Sequence, residues 1–566
     1  MRFAALATDY DGTLAHDGLV SPAVIDALRQ LRSSGRRVIL VTGRTLESLA
    51  TVFPALELFD RIVAENGSTI YNPATKTERI LAEAPPEALF EALRRRGVSA
   101  LEVGHVIVAM AESEKKKVLD AIRETGLELQ IIFNKGSLMV LPTGANKATG
   151  LQAAAEELGL SLRSIAGIGD AENDHAFLTA SEFSAAVANA LPALKQRVQL
   201  VTAGKDGAGV MELAQQMLKD DLSGTSAWLG QPLVLGQSEF EDKVTVPACS
   251  VNLLAGPSGA GKSTLAKAFL EALLSAGYQF CAIDPEGDYE EFEPALMLGT
   301  PQHPPSISEV IKALEKPSQS VVVNLLGLEL EKRPNFFHSL LLRLQELRAR
   351  TGRPHCLVVD EAHHFLSAEL GEPKLFPPGS IWGILLITVR PDALPADFLR
   401  QVHMVAVTGE DAERTLRAFC SKVEYAPPSM DCDPEPGQML AWRPESGAAV
   451  PFTPSETQAK RTRHRRKYAQ GELSPERSFY FRGPAGKLNL RAGNLMSFLN
   501  LMEGVDDETW LYHLRKHDVS GWFELQIKDA DLAREAEAIE TARDINASES
   551  RERFRSLITE RYTAPA

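Results

Sequence analysis

Two carboxylates one residue apart, Asp9 and Asp11, follow the apolar run 3–8 near the start of the chain. Alternate residues of a strand point to the same face, so these two side chains can share one side of the strand end. Two like charges held this close are unfavourable unless a cation or a proton lies between them. The pair therefore predicts a site for Mg²⁺ and a phosphate ester, where one carboxylate attacks phosphorus and the other handles the proton of the leaving group.

Three further polar clusters in the N-terminal part each stand at the end of an apolar run or at the start of a helical pattern. They are Thr42, Gly43 and Arg44; Lys147; and Asp170, Asn173 and Asp174. A hydroxyl and free amides at a helix start suit a phosphate oxygen. Lys147 would neutralise both the nucleophile and the phosphoryl group, and the acids near residue 170 would complete an oxygen shell for Mg²⁺.

Strand and helix patterns alternate around these clusters, which predicts a doubly wound parallel sheet with the polar groups at its carboxyl edge. From about residue 82 to 142 the pattern changes to short alternating strands around a charged helix. This stretch predicts a small α+β insertion, a candidate lid, between the second and third clusters.

The four clusters, Asp9-x-Asp11-Gly-Thr13, Thr42-Gly-Arg44, Lys147 and Gly169-Asp170-x-x-Asn173-Asp174, resemble the motifs of the haloacid-dehalogenase (HAD) phosphatases. The position of the insertion resembles the C2-capped IIB branch, which includes Cof-type, sucrose-phosphate and phosphoglycolate phosphatases. The resemblance implies that Asp9 is the nucleophile that becomes an aspartyl phosphate and that Asp11 is the general acid/base. It implies phosphate binding by Thr42, Gly43, Lys147 and Asn173. It also implies Mg²⁺ binding by Asp9, the carbonyl of Asp11 and Asp170, with Asp174 and Asn173 in support.

A second phosphate motif lies in the middle of the chain, where the apolar run 251–255 leads into a glycine-rich loop and a helix. This strand–loop–helix order is the context that a P-loop requires. The predicted nucleotide-binding residues are Gly256, Gly259, Gly261, Lys262, Ser263 and Thr264. In such a loop the backbone amides surround the phosphates, the lysine reaches the outer phosphates and the serine hydroxyl binds Mg²⁺.

The apolar run 356–359 ends in Asp360 and Glu361. Asp360 would hold Mg²⁺ through water, and Glu361 would polarise the attacking water, so the pair favours ATP hydrolysis over simple nucleotide binding. His363 and His364 follow; adjacent side chains of a strand point apart, so we assign these two to packing or polar surface.

Further strand ends carry Asp284-Pro-Glu-Gly-Asp-Tyr and Thr388-x-Arg390-Pro391. With a strand inserted between the two nucleotide motifs, this arrangement resembles the additional-strand P-loop ATPases, and specifically the HerA/FtsK-like branch. The resemblance implies a homo-oligomer, often a ring with active sites between subunits.

The C-terminal part begins with the only dense basic run, 460–467, which we interpret as a solvated linker. Aromatic and aliphatic residues then return, and their helical spacing is typical of a packed core. The predicted domains are 1–221 (HAD-like phosphatase), 222–455 (P-loop ATPase), 456–472 (basic linker) and 473–566 (small, mostly helical).

Composition agrees with this division, because 566 residues are too many for one core and suggest about three domains. A net charge of −15 argues against a general nucleic-acid binder. Five scattered cysteines without metal spacing are typical of reduced cytosolic thiols. No apolar run reaches transmembrane length, so we expect no membrane contact and a cytoplasmic protein.

We therefore expect an α/β enzyme: a Mg²⁺-dependent phosphatase for a sugar phosphate or a phosphoglycolate-like ester, fused to an ATP-hydrolysing domain that regulates or oligomerises it. Three alternatives stay open. One is a nucleic-acid motor whose phosphatase processes ends, which the basic run favours and the acidic charge disfavours. The others are a kinase–phosphatase pair, against which Glu361 argues, and a P-loop domain that only binds nucleotide as a regulatory or scaffold module.

Overall fold

The computed structural model of the protein describes residues 1–98, 102–134, 136–223, 230–238, 242–290, 292–366, 382–409, 411–429, 434–435, 437–457, 477–484, 486, 488–527, 530–542 and 545–562. These residues form two units, one comprising Met1–Pro285 and Phe292–Thr457, the other Glu286–Glu291 and Gln458–Ala566. The predicted α/β fold class is confirmed. The basic run 460–467 lies outside the described residues.

The described residues among the first 221 contain twelve strands and eight α-helices. The strands are β1 (Ala5–Thr8), β2 (Arg37–Val41), β3 (Arg61–Ala64), β4 (Thr69–Asn72), β5 (Thr77–Ile80), β6 (Glu102–Val103), β7 (Val108–Ala111), β8 (Leu129–Asn134), β9 (Ser137–Pro142), β10 (Ile165–Gly169), β11 (Phe183–Ala186) and β12 (Leu200–Val201). The helices are α1 (Pro22–Ser33), α2 (Leu46–Val52), α3 (Glu87–Arg95), α4 (Lys115–Thr125), α5 (Lys147–Glu157), α6 (His175–Ala180), α7 (Pro192–Lys195) and α8 (Asp206–Asp220).

The main sheet of this part has the order β12-β11-β10-β1-β2-β3-β4-β5. It is parallel from β12 to β3, and β4 and β5 form an antiparallel edge. β1, β10 and β11 are buried along their whole length, as expected of strands covered by helices on both faces. Their carboxyl ends therefore meet at one edge, where Asp9 and Asp170 emerge.

The described residues between 82 and 142 form a separate small layer, which we call the cap. Its antiparallel sheet has the order β6-β7-β9-β8. Helices α3 and α4 pack against this sheet around a core of their own that includes Leu93, Val118 and Val140.

The P-loop part has eleven strands and five α-helices in the described residues. The strands are β13 (Pro232–Ser238), β14 (Lys243–Pro247), β15 (Val251–Ala255), β16 (Phe280–Asp284), β17 (Leu296–Leu298), β18 (Val321–Asn324), β19 (Cys356–Val359), β20 (Ile384–Thr388), β21 (Met404–Thr408), β22 (Met439–Trp442) and β23 (Val450–Pro454). The helices are α9 (Lys262–Ser275), α10 (Ile307–Leu314), α11 (Arg333–Thr351), α12 (Ala396–Leu399) and α13 (Ala412–Val423).

These strands make one sheet of the order β14-β13-β23-β22-β21-β15-β20-β19-β16-β18-β17. The segment from β21 to β17 is parallel and the other edge is antiparallel. In the chain, β16, β17 and β18 separate the P-loop strand β15 from the acidic strand β19. In the sheet it is β20, a later strand, that lies between them.

The main N-terminal sheet and the P-loop sheet meet at their amino edges. Glu182, just before β11, accepts hydrogen bonds from Arg2 Nη2 (3.1 Å) and from the hydroxyl of Tyr278 (2.8 Å), which precedes β16. Ser164 Oγ, just before β10, lies 3.3 Å from Nε2 of His355, which precedes β19. Since both predicted phosphate sites lie at carboxyl edges, they are on opposite sides of this junction.

Hydrogen bonds from arginine side chains to main-chain carbonyls also cross this junction. Arg353 Nη2 donates to the carbonyl of Gly159 (3.0 Å), and Arg163 Nε donates to that of Ala276 (2.8 Å). Gly352 has φ +69°, and a Cβ there would lie 2.4 Å from the carbonyl oxygen of Arg2. The chain can therefore make this close approach only with glycine.

The C-terminal unit, in its described residues, has two strands and five α-helices. These are β24 (Phe479–Phe481), β25 (Leu490–Ala492), α14 (Leu495–Gly504), α15 (Asp507–Arg515), α16 (Asp518–Trp522), α17 (Ala530–Glu540) and α18 (Ala547–Tyr562), with a π-helical turn at Phe523–Ile527. Phe498, Trp510 and Trp522 are buried among the aromatic side chains of this unit. The helix-spaced aromatics are thus core residues, as the sequence predicts.

Among the described residues, no helix is long and apolar enough to cross a membrane. The four described cysteines, Cys249, Cys281, Cys356 and Cys420, are buried and form no disulfide, while Cys432 lies outside the described residues.

The junction predicts an acid-sensitive stability. Burial, reinforced by the charges of Arg353 and Arg348, holds the pKa of His355 well below its usual 6.5. The folded protein therefore keeps His355 neutral while the unfolded chain takes up a proton, so stability is lost as the pH falls below 6.5. The cost is up to about 1.4 kcal/mol per pH unit.

In His355→Gln the free energy of unfolding should fall less steeply as the pH is lowered from 7 to 5. The slope should decrease by the amount that corresponds to the uptake of about one proton on unfolding, measured by thermal unfolding at each pH. Gln offers an acceptor for Gln279 N and a donor for Ser164, and the exposed His338→Gln is the control. An unchanged slope in His355→Gln would contradict the assignment.

Candidate active site

A buried lysine stands between two carboxylates at the carboxyl edge of the N-terminal sheet. Lys147 Nζ lies 2.5 Å from Asp9 Oδ1 and 2.5 Å from Asp174 Oδ1. All three side chains are almost fully buried. Burial alone would lower the pKa of Lys147, but Asp174 and Asp9 outweigh it and raise this pKa. The lysine is therefore a fixed positive charge beside Asp9.

A third carboxylate completes the cluster. Asp170 Oδ1 accepts a hydrogen bond from Thr13 Oγ1 (3.1 Å), and ligand atoms of Asp9, Asp170 and Asp174 lie within 4.8 Å of one another. Burial, and then the charge of Asp174, raises the pKa of Asp9 against the opposing effect of Lys147. Three buried carboxylates with one ammonium leave an excess of negative charge, and oxygen donors of this kind suit Mg²⁺.

Asp174 has a positioning role within this cluster. Its Oδ2 accepts from the backbone amides of Asp170 (2.8 Å) and Ala171 (2.9 Å), while its Oδ1 holds Lys147. Asp174 thus shapes the loop after β10 and fixes the lysine at the same time.

Lys147 is held in place by the start of α5. Asn146 forms a capping box with Thr149, which satisfies the first amides of the helix. The carbonyl of Asn146 packs against Gly67, where φ is +100° and an added Cβ would lie 1.9 Å away. The helix start is therefore locked against the loop that follows β3.

Asp11 lies beside an arginine rather than beside the lysine. Arg44 Nε and Nη2 donate to the two oxygens of Asp11 (2.8 and 2.7 Å), a bidentate ion pair, and Arg44 Nη1 donates to Ser48 Oγ (3.2 Å). Asp11 and Arg44 face a cavity of about 300 Å³ between the sheet and the cap. A leaving group bound there would meet Asp11.

The residues predicted to bind phosphate surround the same edge. Thr42 is fully buried at the end of β2, and its Oγ1 accepts from Arg44 N (3.2 Å). Gly43 packs against the side chain of Asn66, since a Cβ there would lie 3.2 Å from Asn66 Oδ1. The amide of Asn173 donates to that same Oδ1 (3.2 Å), so Asn173 is oriented by Asn66.

A single carboxylate ties the cap to this site. Glu65 is buried after β3, and its oxygens accept from the backbone amides of His105 (2.9 Å), Val106 (2.8 Å) and Ile107 (3.0 Å). Glu65 has φ 50°, an uncommon conformation for a residue with a side chain. Its neighbour Asn66 contacts Met139 of the cap, and the loop after β3 thus joins cap and site.

The P-loop follows β15 in the predicted strand–loop–helix order. Lys262 begins α9 and donates to the carbonyls of Gly256 (2.9 Å) and Pro257 (3.0 Å). Gly256 has φ +149°, and a Cβ there would lie 2.5 Å from the carbonyl oxygen of Thr408. Thr408 Oγ1 also donates to the carbonyl of Ala260, so β21 supports the loop. Gly259 and Gly261 have positive φ, and Ser263 and Thr264 lie in the first turn of α9.

Asp360 and Glu361 lie at the end of β19, at the same carboxyl edge. Asp360 is buried, and its Oδ1 accepts from the amide of Glu361 (2.8 Å). His363 Nδ1 lies 3.4 Å from Glu361 Oε2 and 3.1 Å from the hydroxyl of Thr388 on β20. Burial, with His364 and Lys262 among the charges, lowers the pKa of His363 to about 4, so it is neutral at pH 7.

The expectation that His363 and His364 point apart is wrong, because their rings lie 4.1 Å from each other. Glu361 has φ 45°, and Ala362–His364 form a 3₁₀ turn, so the alternation of a strand ends at Val359. His363 thereby becomes a neighbour of the predicted base.

Four residues near the sites had no role in the sequence interpretation: Arg44, Glu65, Asn66 and His363. Arg44 stood inside a recognised motif, and Glu65-Asn66-Gly67 is a polar strand end of the kind that carries the other clusters. The signal in the sequence that could have identified these residues was therefore their position after an apolar run. Their partners, such as Ile107 and Thr388, are too distant in sequence to be foreseen.

Comparison with known proteins agrees with the N-terminal geometry. Residues 6–113 and 99–213 match the family model described as haloacid dehalogenase-like hydrolase. The "Phosphoglycolate phosphatase 2" of Saccharolobus solfataricus is 30% identical over 38% of this chain and 91% of that protein. The "Phosphoglycolate phosphatase" of Methanothermobacter thermautotrophicus is 28% identical over 38% of this chain and 98% of that protein.

A solved haloacid dehalogenase-like hydrolase from Bacteroides thetaiotaomicron is 20% identical, covers 38% of this chain and 99% of that one, and has a TM-score of 0.34. For the middle of the chain, residues 248–376 match a family model described as AAA domain. This range contains the P-loop and the pair Asp360 and Glu361.

The hydrogen bonds of Glu65 predict that it holds the cap loop. In Glu65→Gln one oxygen becomes an NH₂ group facing backbone amides, which should cost about 1–3 kcal/mol locally. Amide exchange at residues 105–107 should then speed up about tenfold or more, measured by mass spectrometry on the intact chain. The exposed Glu83→Gln of the cap is the control, and equal protection in both variants would exclude the clamp.

Proposed function

Because this chain belongs through its N-terminal domain to the haloacid dehalogenase-like hydrolases, we propose that it hydrolyses a phosphomonoester through an aspartyl-phosphate intermediate on Asp9. The observation that carries the proposal is the position of Lys147, buried between Asp9 and Asp174. A fixed cation beside a buried carboxylate favours the ionised form of that carboxylate, against the burial that raises its pKa, and offsets the charge of an approaching phosphoryl group.

The other residues take complementary roles in the proposal. Thr42 and Gly43, at the end of β2, supply a hydroxyl and an amide for phosphoryl oxygens, with Asn173 and Lys147 on the other side. Asp11 protonates the leaving group and then takes the proton of the attacking water. Arg44 holds Asp11 in place toward the cavity through its two hydrogen bonds.

The cluster of carboxylates fits Mg²⁺, because hard oxygen donors and an excess of negative charge are what this cation requires. Asp9, the main-chain carbonyl of Asp11, and Asp170 would hold it, with Asp174 in support. Bound Mg²⁺ would supply charge stabilisation to the phosphoryl oxygens.

The relatives suggest the range of substrates. The two proteins cited above carry the name phosphoglycolate phosphatase, and the four-stranded cap between the second and third motifs supports a place in the C2-capped branch. We therefore propose a small phosphate ester, a sugar phosphate or a phosphoglycolate-like compound, as substrate.

For the nucleophile, Asp9→Asn should lower kcat on p-nitrophenyl phosphate by about 10³-fold or more, since the amide cannot attack phosphorus. ATP turnover, measured in the same preparation, should stay unchanged. Asp17→Asn is the matched control, because it makes the same substitution at a side chain that is 90% exposed. Substantial activity of Asp9→Asn would refute the proposed nucleophile.

For the P-loop part we propose ATP hydrolysis with Glu361 as the base, Asp360 and Ser263 as Mg²⁺ ligands, and a place among the HerA/FtsK-like ATPases. The support is the inserted strand β20 between β15 and β19, and the contact of His363 with both Glu361 and Thr388. His363 thus links the base to the neighbouring strand, which carries the Thr388-x-Arg390 motif of that resemblance.

The junction between the sheets bears on how the two activities are related. The sites lie at opposite edges, with Glu182, Tyr278 and His355 between them, so a phosphoryl group has no direct path from one to the other. This disfavours a kinase–phosphatase pair with a shared substrate site. We propose instead that the ATPase regulates or oligomerises the phosphatase through the folded junction.

In the ATPase, Lys262→Ala and Glu361→Gln should each lower ATP turnover at least about 10²-fold while phosphatase activity on p-nitrophenyl phosphate persists. Inorganic phosphate should appear in step with ADP in the wild type, as hydrolysis requires. The exposed Lys312→Ala serves as control. Retained ATP turnover in Glu361→Gln would contradict the assignment of Glu361 as the base. ADP formed without inorganic phosphate would indicate a kinase.

A further inference from the structure

One short segment binds the main chain of both loops that carry the proposed metal ligands. It comprises residues 187–191, which directly follow β11. The backbone amide of Leu191 donates to the carbonyl of Asp170 (2.9 Å) in the loop after β10. The side-chain amide of Asn189 donates to the carbonyl of Gly12 (2.7 Å) in the loop after β1. The segment therefore ties these two loops to each other.

Gly12 occupies the turn that follows Asp11, whose carbonyl is one of the proposed Mg²⁺ ligands. Gly12 has φ +77°, a left-handed conformation that suits a tight turn, and its amide donates to the carbonyl of Ala15 (3.0 Å). The carbonyl of Asp11 and the amide of Gly12 belong to one planar peptide unit. A displacement of Gly12 would therefore move the ligand oxygen of Asp11 as well.

Asn189 is an exposed residue whose side chain is oriented by the start of α8. Its Nδ2 also donates to Asp206 Oδ1 (2.9 Å), and its Oδ1 accepts from the backbone amide of Asp206 (2.7 Å). The other oxygen of Asp206 lies 3.0 Å from Nδ1 of His16. The next residue, Gly207, packs against the carbonyl oxygen of Leu14, from which an added Cβ would lie 2.8 Å away. Asn189 and the start of α8 thus contact the loop after β1 together.

On the basis of the phosphatase function proposed above, we propose that Asn189 is a positioning residue for the metal site. It holds the loop after β1 in place relative to the loop after β10, so that the oxygen ligands of both loops are set before the cation enters. Ligands that are fixed in advance need no ordering on binding, and Mg²⁺ tolerates little departure from octahedral geometry. Asp206 acts through Asn189, as a hydrogen-bond acceptor.

The test measures Mg²⁺ affinity by isothermal titration calorimetry of the full chain, without nucleotide or phosphate ester. The binding heat that is lost in Asp170→Asn identifies this site. In Asn189→Ala the dissociation constant for Mg²⁺ should rise about three- to tenfold, which is the effect of one amide–carbonyl hydrogen bond on an equilibrium constant. Asn72→Ala is the matched control, because Asn72 also holds a turn, by accepting from Ala74 N (3.1 Å), and it should bind Mg²⁺ as the wild type does.

Two variants of Asp206 separate geometry from charge. Asp206→Asn keeps an oxygen that accepts from Asn189 but removes the charge, so its Mg²⁺ dissociation constant should stay within about twofold of the wild-type value. Asp206→Ala removes the acceptor and should raise the dissociation constant about threefold.

A kinetic readout distinguishes positioning from a merely structural role. In Asn189→Ala, kcat on p-nitrophenyl phosphate should return to near the wild-type value at saturating Mg²⁺, because excess cation orders the loops. A structural role alone would lower Tm without Mg²⁺ and leave the Mg²⁺ affinity of the folded protein unchanged.

Equal Mg²⁺ affinity in Asn189→Ala and the wild type would overturn the proposal, and so would an equal loss in Asn72→Ala. If Asn189→Ala does not fold, the two Asp206 variants decide, and equal affinities in Asp206→Ala and Asp206→Asn would overturn it.

p-Nitrophenyl phosphate separates this failure from that of the proposed function. A wild type that binds Mg²⁺ but hydrolyses no ester refutes the phosphatase, while the affinities of the variants still decide the role of Asn189. A wild type that hydrolyses the aryl ester without any Mg²⁺ binding that depends on Asp170 keeps the phosphatase and overturns the role of Asn189. If it neither binds Mg²⁺ nor hydrolyses the ester, both proposals fall.

Discussion

The ion pairs of Lys147 are the interaction on which the N-terminal site depends. The ammonium group of Lys147, buried between Asp9 and Asp174, is stabilised by the carboxyl groups on either side, and it lowers the cost of their burial in turn. Removing one partner of such a group leaves an uncompensated buried charge, which typically costs about 3–5 kcal/mol. These atoms are held in position by Asn146, by Gly67 and by the loop that Asp174 shapes.

The short segment Glu65-Asn66-Gly67 connects the substrate-facing cap to this charge cluster. Glu65 holds three cap amides, Asn66 orients Asn173, and Gly67 contacts the start of the helix that carries Lys147. Two consecutive residues with side chains, Glu65 and Asn66, adopt positive φ here. Backbone strain of this kind persists only where the surroundings enforce it, and here the strained segment joins the cap to the start of α5.

Both domains follow the rule that parallel sheets place chemistry at their carboxyl edges. In this chain the amino edges, which that rule leaves without a catalytic role, are used to bind the two sheets together. Glu182 and His355 are polar groups buried at that contact, each with hydrogen-bond partners on the other sheet. Such a contact is costly to break, because opening it exposes or orphans these groups. It allows the two proposed phosphate sites to share one unit while facing away from each other.

Much of each site could be predicted from the sequence, because its signals are local. Asp9, Asp170 and Asp360 each follow an apolar run, and the loop from Gly256 to Lys262 is contiguous, so strand, turn and chemistry are specified within a few residues.

The contacts between distant segments could not be predicted. They include the pairing of Arg44 with Asp11, the hold of Glu65 on the cap, and the fact that β20 is the strand that lies between β15 and β19. The close contact of the His363 and His364 rings was mispredicted because the strand ends at Val359 and Glu361 has a positive φ. The sequence alone therefore determined which residues are candidates for phosphate chemistry, since strand periodicity and turn composition act over short range. Only the tertiary structure decided which side chains orient them and which charges line the cavity, since these depend on packing between elements far apart in the chain.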